Sequence, residues 1–447
     1  MDLESAFRIT AIALPGSVDE FAKGLEPEWI EEALAFSGTA TVRRRRLPGD
    51  VVLWLVLGMA LLRNQSINRV ADLLRLALPS ERRPLAAPSS LAQARQRLGP
   101  DALEYLFVAS GSEWATRSAQ AHQWRGLSIY AMDGTTIRVP DSRSNWETFG
   151  GHEGNGKRAG SAYPTVRMVA LLAARSHLIK DLRFADYHTG EVTLARQLWP
   201  EIPNDSLTLV DRGFLIAAAL TGLAGDGTNR HWLTRAKKNT RMHVLQHLGE
   251  NDALVEIGLS EATRKANPGV PEKWIARAIR YQRKGFPPST LLTSLLDPAR
   301  FPAAEVVEMY HERWEIELAY DEVKTHMLAR EETIRSRTPD GVRQELWAIA
   351  LAYNLVRLEM ERAAIAAGVP PTRISFVNSL YLIAFAWIAW SAQTAAPGRI
   401  PAQLIDLREK LSLLVLPKRR PDRSVPRVVK IKMSSYDKKW VERPSRK

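Results

Sequence analysis

Residues 310–324, YHERWEIELAYDEVK, limit this chain more than any other stretch. The segment follows Pro302, contains neither Gly nor Pro and carries good helix formers, which predicts a helix from about Ala304 to about Arg330. At about 100° per residue, Tyr310, Arg313, Glu317 and Lys324 fall within roughly 60° of one another on the helical wheel. One face therefore carries a phenol, a guanidinium, a carboxylate and an ammonium. Glu312, Glu315 and Glu322 point away from it and Asp321 shares it, so Glu317 is the favoured carboxylate and Asp321 its rival. Such a carboxylate can hold a divalent cation while its neighbours grip phosphates. The bland alternative is a solvated helix of Glu–Lys pairs.

The length of 447 residues predicts two to four domains, and a hydrophobic content of 45% supplies an ordinary soluble core. With no cysteine, disulfides and cysteine-ligated zinc are excluded, and a reducing, cytoplasmic setting is expected. The start, MDLESAFRIT, lacks the features of a signal peptide. The net charge of +13 points to an acidic polymer or an anionic surface as partner. It is concentrated toward the two ends: residues 41–100 hold eleven Arg against three acids, and residues 417–447 hold twelve Lys or Arg against three acids.

Residues 1–121 read as a helical, DNA-binding domain. EWIEEALAFSGTA is amphipathic, Arg43, Arg44, Arg45 and Arg46 form a basic run, and Val51–Leu62 is apolar all round but too short for a bilayer. Ser66 caps the next helix, and Ser89 or Ser90 caps LAQARQRLG, whose Arg95 and Arg97 are candidate DNA contacts. Three short helices with an Arg-rich last member resemble a helix-turn-helix, against a plain bundle with solvated arginines.

Residues 122–370 read as α/β. LSIYAMD and TTIRV predict a hairpin turning at Gly134 with Asp133 at its edge, TVRMVALLAARS, LIKDLRFAD and RHWLTRA predict strands, and SLTLVD ends in Asp211 before a turn through Arg212 and Phe214 into a helix, LIAAALTGLAG. His188 and Glu191 have a spacing that could suggest metal ligation but read as a surface pair. Residues 237–285 read as a β-rich insertion with strands DALVEIGL and WIARAIRYQ, and STLLTSLLD as a core strand. Residues 371–447 hold a helix, SFVNSLYLIAFAWIAW, read as core or self-association rather than membrane, and a basic tail too charged to bury.

The pattern of Tyr310, Arg313, Glu317 and Lys324, with Asp133 in YAMDGTTIRVPDS and Asp211 in LVDRGF, resembles the insertion-sequence-four family of bacterial transposases. The resemblance covers most of the chain. It implies a ribonuclease H-like mixed sheet with a β-rich insertion, flanked by N-terminal helices and by C-terminal helices with a basic tail. It implies a catalytic, metal-binding triad of Asp133, Asp211 and Glu317 holding two Mg²⁺ ions, with Mn²⁺ able to substitute. The remaining signature residues, with Arg212, would contact DNA, and Trp314 would stack on an unpaired base or else pack in the core. The implied activity is cleavage at terminal inverted repeats and joining of the 3′ ends to target DNA, by a homodimer holding paired ends. The alternatives are a non-catalytic DNA-binding protein derived from a transposase, and a Mg²⁺-dependent nuclease without strand transfer.

Overall fold

Strands of five to eleven residues pair into one nine-stranded mixed sheet of order β3-β2-β1-β4-β5-β9-β8-β7-β6. The computed structural model describes residues 25–417 except 26, 40–46, 75–86, 153–159, 216–221, 224, 226, 260, 267–269, 271, 284–285, 329–333 and 392–399. The basic run Arg43–Arg46, most of the helix expected after Phe214 and nearly all of the basic tail lie outside the described residues.

Helices α1 (Pro27–Phe36), α2 (Gly49–Leu61), α3 (Ile67–Leu73), α4 (Pro88–Leu98) and α5 (Asp101–Ala121) precede the sheet. Ser66 caps α3 by accepting from the Arg69 N–H at 3.3 Å. Ser89 and Ser90 do not cap α4. Pro88 opens that helix with Ala87 at the cap, because a proline there has no N–H to satisfy and a preset φ.

The sheet is then built from β1 (Ser128–Arg138), α6 (Arg143–Phe149), β2 (Thr165–Ala173), β3 (Ile179–Ala185), α7 (Glu191–Leu198), β4 (Ser206–Val210) and β5 (Arg230–Arg235). Strands β1, β2 and β3 are antiparallel neighbours, and β1, β4 and β5 run parallel, which is the ribonuclease H-like arrangement. The hairpin expected at Gly134 is absent. β1 runs straight through it, with Asp133 opposite Ala170 and Gly134 opposite Val169. The glycine serves close approach: a Cβ at Gly134 would stand 2.6 Å from the Glu191 carboxyl carbon.

Strands β6 (His243–Gly249) and β7 (Asp252–Gly258), helix α8 (Glu261–Ala266) and strand β8 (Lys273–Tyr281) fall within residues 237–285. They do not form a separate layer. β9 (Ser289–Thr293) pairs antiparallel with both β5 and β8, so the inserted strands extend the same sheet. The expectation missed β6, whose side chains are largely exposed and carry no burial alternation.

The helix expected over 304–330 divides into α9 (Ala303–His311), α10 (Trp314–Asp321) and a π-helical turn, Glu322–Met327. Between α9 and α10 the bonds tighten to i→i+3, with Arg313 N–H to Tyr310 O at 3.1 Å and Glu315 N–H to Glu312 O at 3.0 Å. Beyond α10 they loosen, and Leu328 N–H reaches Val323 O at 2.9 Å. Propensity gives no sign of either change, because both accompany the docking of buried Tyr310, Ile316, Tyr320 and Val323.

Helices α11 (Pro339–Ala367), α12 (Phe376–Ser391) and α13 (Ile400–Ser412) complete the described chain. α11 packs on α2 and α5, and one continuous buried core joins the N-terminal helices to the sheet. A buried ion pair, Arg63–Glu345 at 2.8 Å, ties the end of α2 to α11. Trp387 of α12 stands edge-on to Trp54 at 6.1 Å, which accounts for the apolar run as core. Among the described residues no helix is long and apolar enough to cross a membrane.

Candidate active site

Parallel pairing sets the two aspartates beside each other. Met132 of β1 is in register with Val210 of β4, so the next residues, Asp133 and Asp211, emerge together. Beyond Asp211 the chain makes a single 3₁₀ turn, Arg212–Phe214, closed by Phe214 N–H to Asp211 O at 3.0 Å and pinned by the buried Phe214 ring.

The third acid arrives from α10, through Arg313. The Arg313 guanidinium gives Nη2 to Glu317 Oε1 at 2.7 Å and places Nη1 3.5 Å from Asp133 Oδ2. It is 14% exposed, against 19% for Asp133 and 33% for Glu317, so the bridge lies at a sheltered but open mouth. Burial pushes the Asp133 carboxyl up to about 6; the Gly134 N–H at 2.8 Å and Arg313 oppose this, and Asp211 and Glu191 add to it.

The other signature residues lie around these acids. Tyr310 is buried, which raises its hydroxyl to about 12, and it is close enough to Arg313, Asp211 and Arg235 for each to act on that value. Lys324 donates to Thr135 Oγ1 at 3.1 Å, two residues beyond Asp133 on the same face of β1. Burial lowers its ammonium, as does Arg138, while Asp321 opposes them. Trp314 is 45% exposed, so the core-packing reading does not hold.

The remaining glutamates of the segment face elsewhere. Glu312 pairs with Arg175 at 2.8 Å, Glu315 with His177 at 2.9 Å, and Glu322 with buried Arg357. Asp321 is exposed and accepts from the Thr325 hydroxyl.

Two expectations need correction. Arg95, a candidate DNA contact, is turned inward, with Nε donating to Gln344 at 3.0 Å and Nη2 to Ser336 at 3.2 Å and Glu345 at 3.3 Å. Its neighbour Arg97 is exposed, because two residues along a helix separate the two side chains by about 200°. Glu191 does not pair with His188; it takes Arg167 Nη1 at 2.9 Å.

Sequence reasoning also missed Tyr320, whose hydroxyl reaches the Asp133 backbone, and the pair Lys237 and Lys238. With Asp211, exposed Arg212 and Gly213, these lysines line a cavity of about 370 Å³.

This sheet, with acids on β1, after β4 and on a late helix, has the arrangement expected of a transposase of the Asp-Asp-Glu class. A family described as "Transposase DDE domain" matches residues 124–355, and one described as "Insertion element 4 transposase N-terminal" matches residues 15–108. Transposase InsG for insertion sequence element IS4, from Escherichia coli (strain K12), is 38% identical over 413 residues, covering 92% of this chain and 92% of that protein. Putative transposase InsZ of the same organism is 37% identical over 233 residues, 52% of this chain and 76% of its own. A cryo-EM structure of a piggyBac transposase synaptic complex with hairpin DNA aligns at TM-score 0.42 and 11% identity over 95% of this chain and 87% of its own, too slight a likeness to bear on fold or activity. The chain belongs to the IS4 family of DDE transposases. It is a DNA transposase, an enzyme of a divalent-metal-dependent class.

Proposed function

We propose that Asp133, Asp211 and Glu317 are the metal-holding acids with which this transposase cleaves the terminal inverted repeats of its element and joins the 3′ ends to target DNA. The observation that carries the reading is the Arg313 bridge, a guanidinium set between the carboxylates of Asp133 and Glu317. A sheltered carboxylate raised to about 6 beside Asp211 and Glu191 calls for a cation. Among the described residues no three acids or histidines converge closely enough to hold a metal as they stand. The all-oxygen donor set suits a hard divalent ion once Arg313 turns from Glu317 toward a phosphate. When bound, two Mg²⁺ ions, or Mn²⁺ in their place, would activate a water or a 3′-hydroxyl and stabilise the leaving 3′-oxygen.

Arg313 and Lys324 then act as a clamp on phosphates flanking the scissile one, with Tyr310 packed behind them. Exposed Trp314 is available to stack on an unpaired base. Residues 1–121 form the repeat-reading domain, residues 122–370 the catalytic domain with its 237–285 insertion, and residues 371–447 the C-terminal helices and tail. A homodimer holding two ends in the bacterial cytoplasm completes the reading.

The test is single-turnover cleavage of a labelled repeat end in Mg²⁺ by Asp133→Asn, Asp211→Asn and Glu317→Gln proteins. Each should lose cleavage while binding the end about as tightly as the wild type. Wild-type cleavage by any one of them would remove that acid from the triad, and cleavage by Glu317→Gln would transfer its role to Asp321.

A further inference from the structure

The cavity beside Asp211 is not used by the clamp. It is lined by Asp211, Arg212, Gly213, Lys237 and Lys238, so three of its five lining residues are cations and one is an acid. The lysines are held on a closed turn: Lys237 N–H donates to Thr240 Oγ1 at 3.1 Å, and Thr240 N–H returns to Lys237 O at 3.0 Å. That turn follows directly from β5, through Ala236 N–H bonded to Thr290 O at 2.8 Å. Among the described residues, none of Arg212, Lys237 and Lys238 is in an ion pair, whereas Arg95, Arg175 and Arg357 are all paired with acids. A concave cluster of cations, two of them on a closed turn, beside a carboxylate matches a phosphodiester backbone passing close to that carboxylate.

Strand order gives the cluster a direction. Neighbouring strands run β1-β4-β5, Arg313 and Lys324 reach β1, the aspartates stand on β1 and just after β4, and Lys237 and Lys238 follow β5. Lys324 and the lysine pair therefore lie on opposite flanks of the aspartates, with Arg313 among the acids, and a strand crossing the site would meet a cation on each side of its scissile phosphate. In joining, the 3′-oxygen of the cut end forms a bond to a target phosphorus as that phosphorus loses its bond to the target's own 3′-oxygen, which leaves and takes up a proton. The element's end stays on one flank through both steps, while the strand on the other flank is exchanged.

We propose that Arg212, Lys237 and Lys238 form the subsite for the exchanged strand, holding flanking host DNA during cleavage and target DNA during joining. This rests on the reading of Asp133, Asp211 and Glu317 given above. The test uses the full-length protein in Mg²⁺ with a pre-cleaved repeat end and a supercoiled plasmid as target. Lys237→Ala/Lys238→Ala and Lys237→Gln/Lys238→Gln should bind the pre-cleaved end within twofold of wild type yet join it to the plasmid at least tenfold more slowly. Lys237→Arg/Lys238→Arg should restore joining, since a positive charge is what the subsite supplies. Arg313→Ala, by contrast, should impair the handling of both strands. Joining within twofold of wild type in the Ala and Gln variants would overturn the assignment. So would an equal loss of pre-cleaved end binding, or a failure of the Arg variant to restore joining. Wild-type protein that neither cleaves nor joins would instead defeat the underlying reading of the three acids.

Discussion

Tyr320 donates its hydroxyl proton to the carbonyl oxygen of Asp133 at 2.6 Å, and the Tyr320 hydroxyl oxygen in turn accepts from the N–H of Ala170, the residue opposite Asp133, at 3.1 Å. One phenol thus links α10, β1 and β2 at the residue that carries the first aspartate. The helix bearing Glu317 is fixed to the Asp133 backbone itself, independently of Arg313.

Tyr320→Phe keeps the buried ring and removes the bridge. The loss should cost about 1–2 kcal/mol of stability, read by denaturant unfolding. Single-turnover cleavage should slow by about tenfold or more, because small errors in the placement of reacting groups are costly. End affinity should hold. Unchanged cleavage would show that Arg313 and packing suffice to set the helix.

Arg313→Ala takes the guanidinium from between Asp133 and Glu317. Divalent-metal affinity, followed by Mn²⁺ titration, should be retained or tightened, because a competing cation has gone. Cleavage and joining should nevertheless fall by roughly 10- to 100-fold as phosphate positioning is lost. Loss of metal affinity would mean that Arg313 organises the acids rather than the DNA.

Asp133 binds a proton more tightly in the folded chain than in the unfolded one, because burial lifts its carboxyl from an ordinary value of 3.8 to about 6. The folded state therefore holds the extra proton between these values, and stability falls as the pH rises through this window. In metal-free protein, Asp133→Asn should raise the Tm above pH 6, and the gain should shrink as the pH drops toward 4. An equal gain at pH 4 and pH 8 would point to packing instead of charge.

Glu322 is the opposite case. Burial disfavours its ionised form, but Arg357, His177 and Tyr353 outweigh that and hold the carboxyl down at about 2, below its ordinary 4.5. Its stabilisation is complete above pH 4.5 and is lost as the pH falls toward 2. Glu322→Gln should cost about 3–5 kcal/mol by leaving buried Arg357 without its counter-charge, and Glu322→Leu/Arg357→Met should recover much of it. Chemical denaturation at pH 7 compares the three proteins, and a double variant no better than the single one would show that the network specifies the π-helical turn.

The sequence by itself determined the chemistry and its local carriers. The spacing of Tyr310, Arg313, Glu317 and Lys324 marked a polar helix face, the β-rich runs around Asp133 and before Asp211 marked strands, and the wheel separated Glu317 from Glu312, Glu315 and Glu322. These are short-range properties, set by residue type and by the periods of helix and strand. Only the tertiary structure decided that Gly134 lies within a straight strand, since nothing local reveals that the Glu191 carboxyl fills the space a side chain would need. The same holds for the 3₁₀ and π distortions, which depend on where Tyr310 and Tyr320 dock, and for the division of labour between Arg95 and Arg97. Arg95 meets Glu345 and Arg97 meets solvent because of a helix 250 residues further along the chain. The pairing of β1 with β4 was likewise out of reach: a parallel register joins residues some 78 positions apart, and it is that register which sets Asp133 beside Asp211.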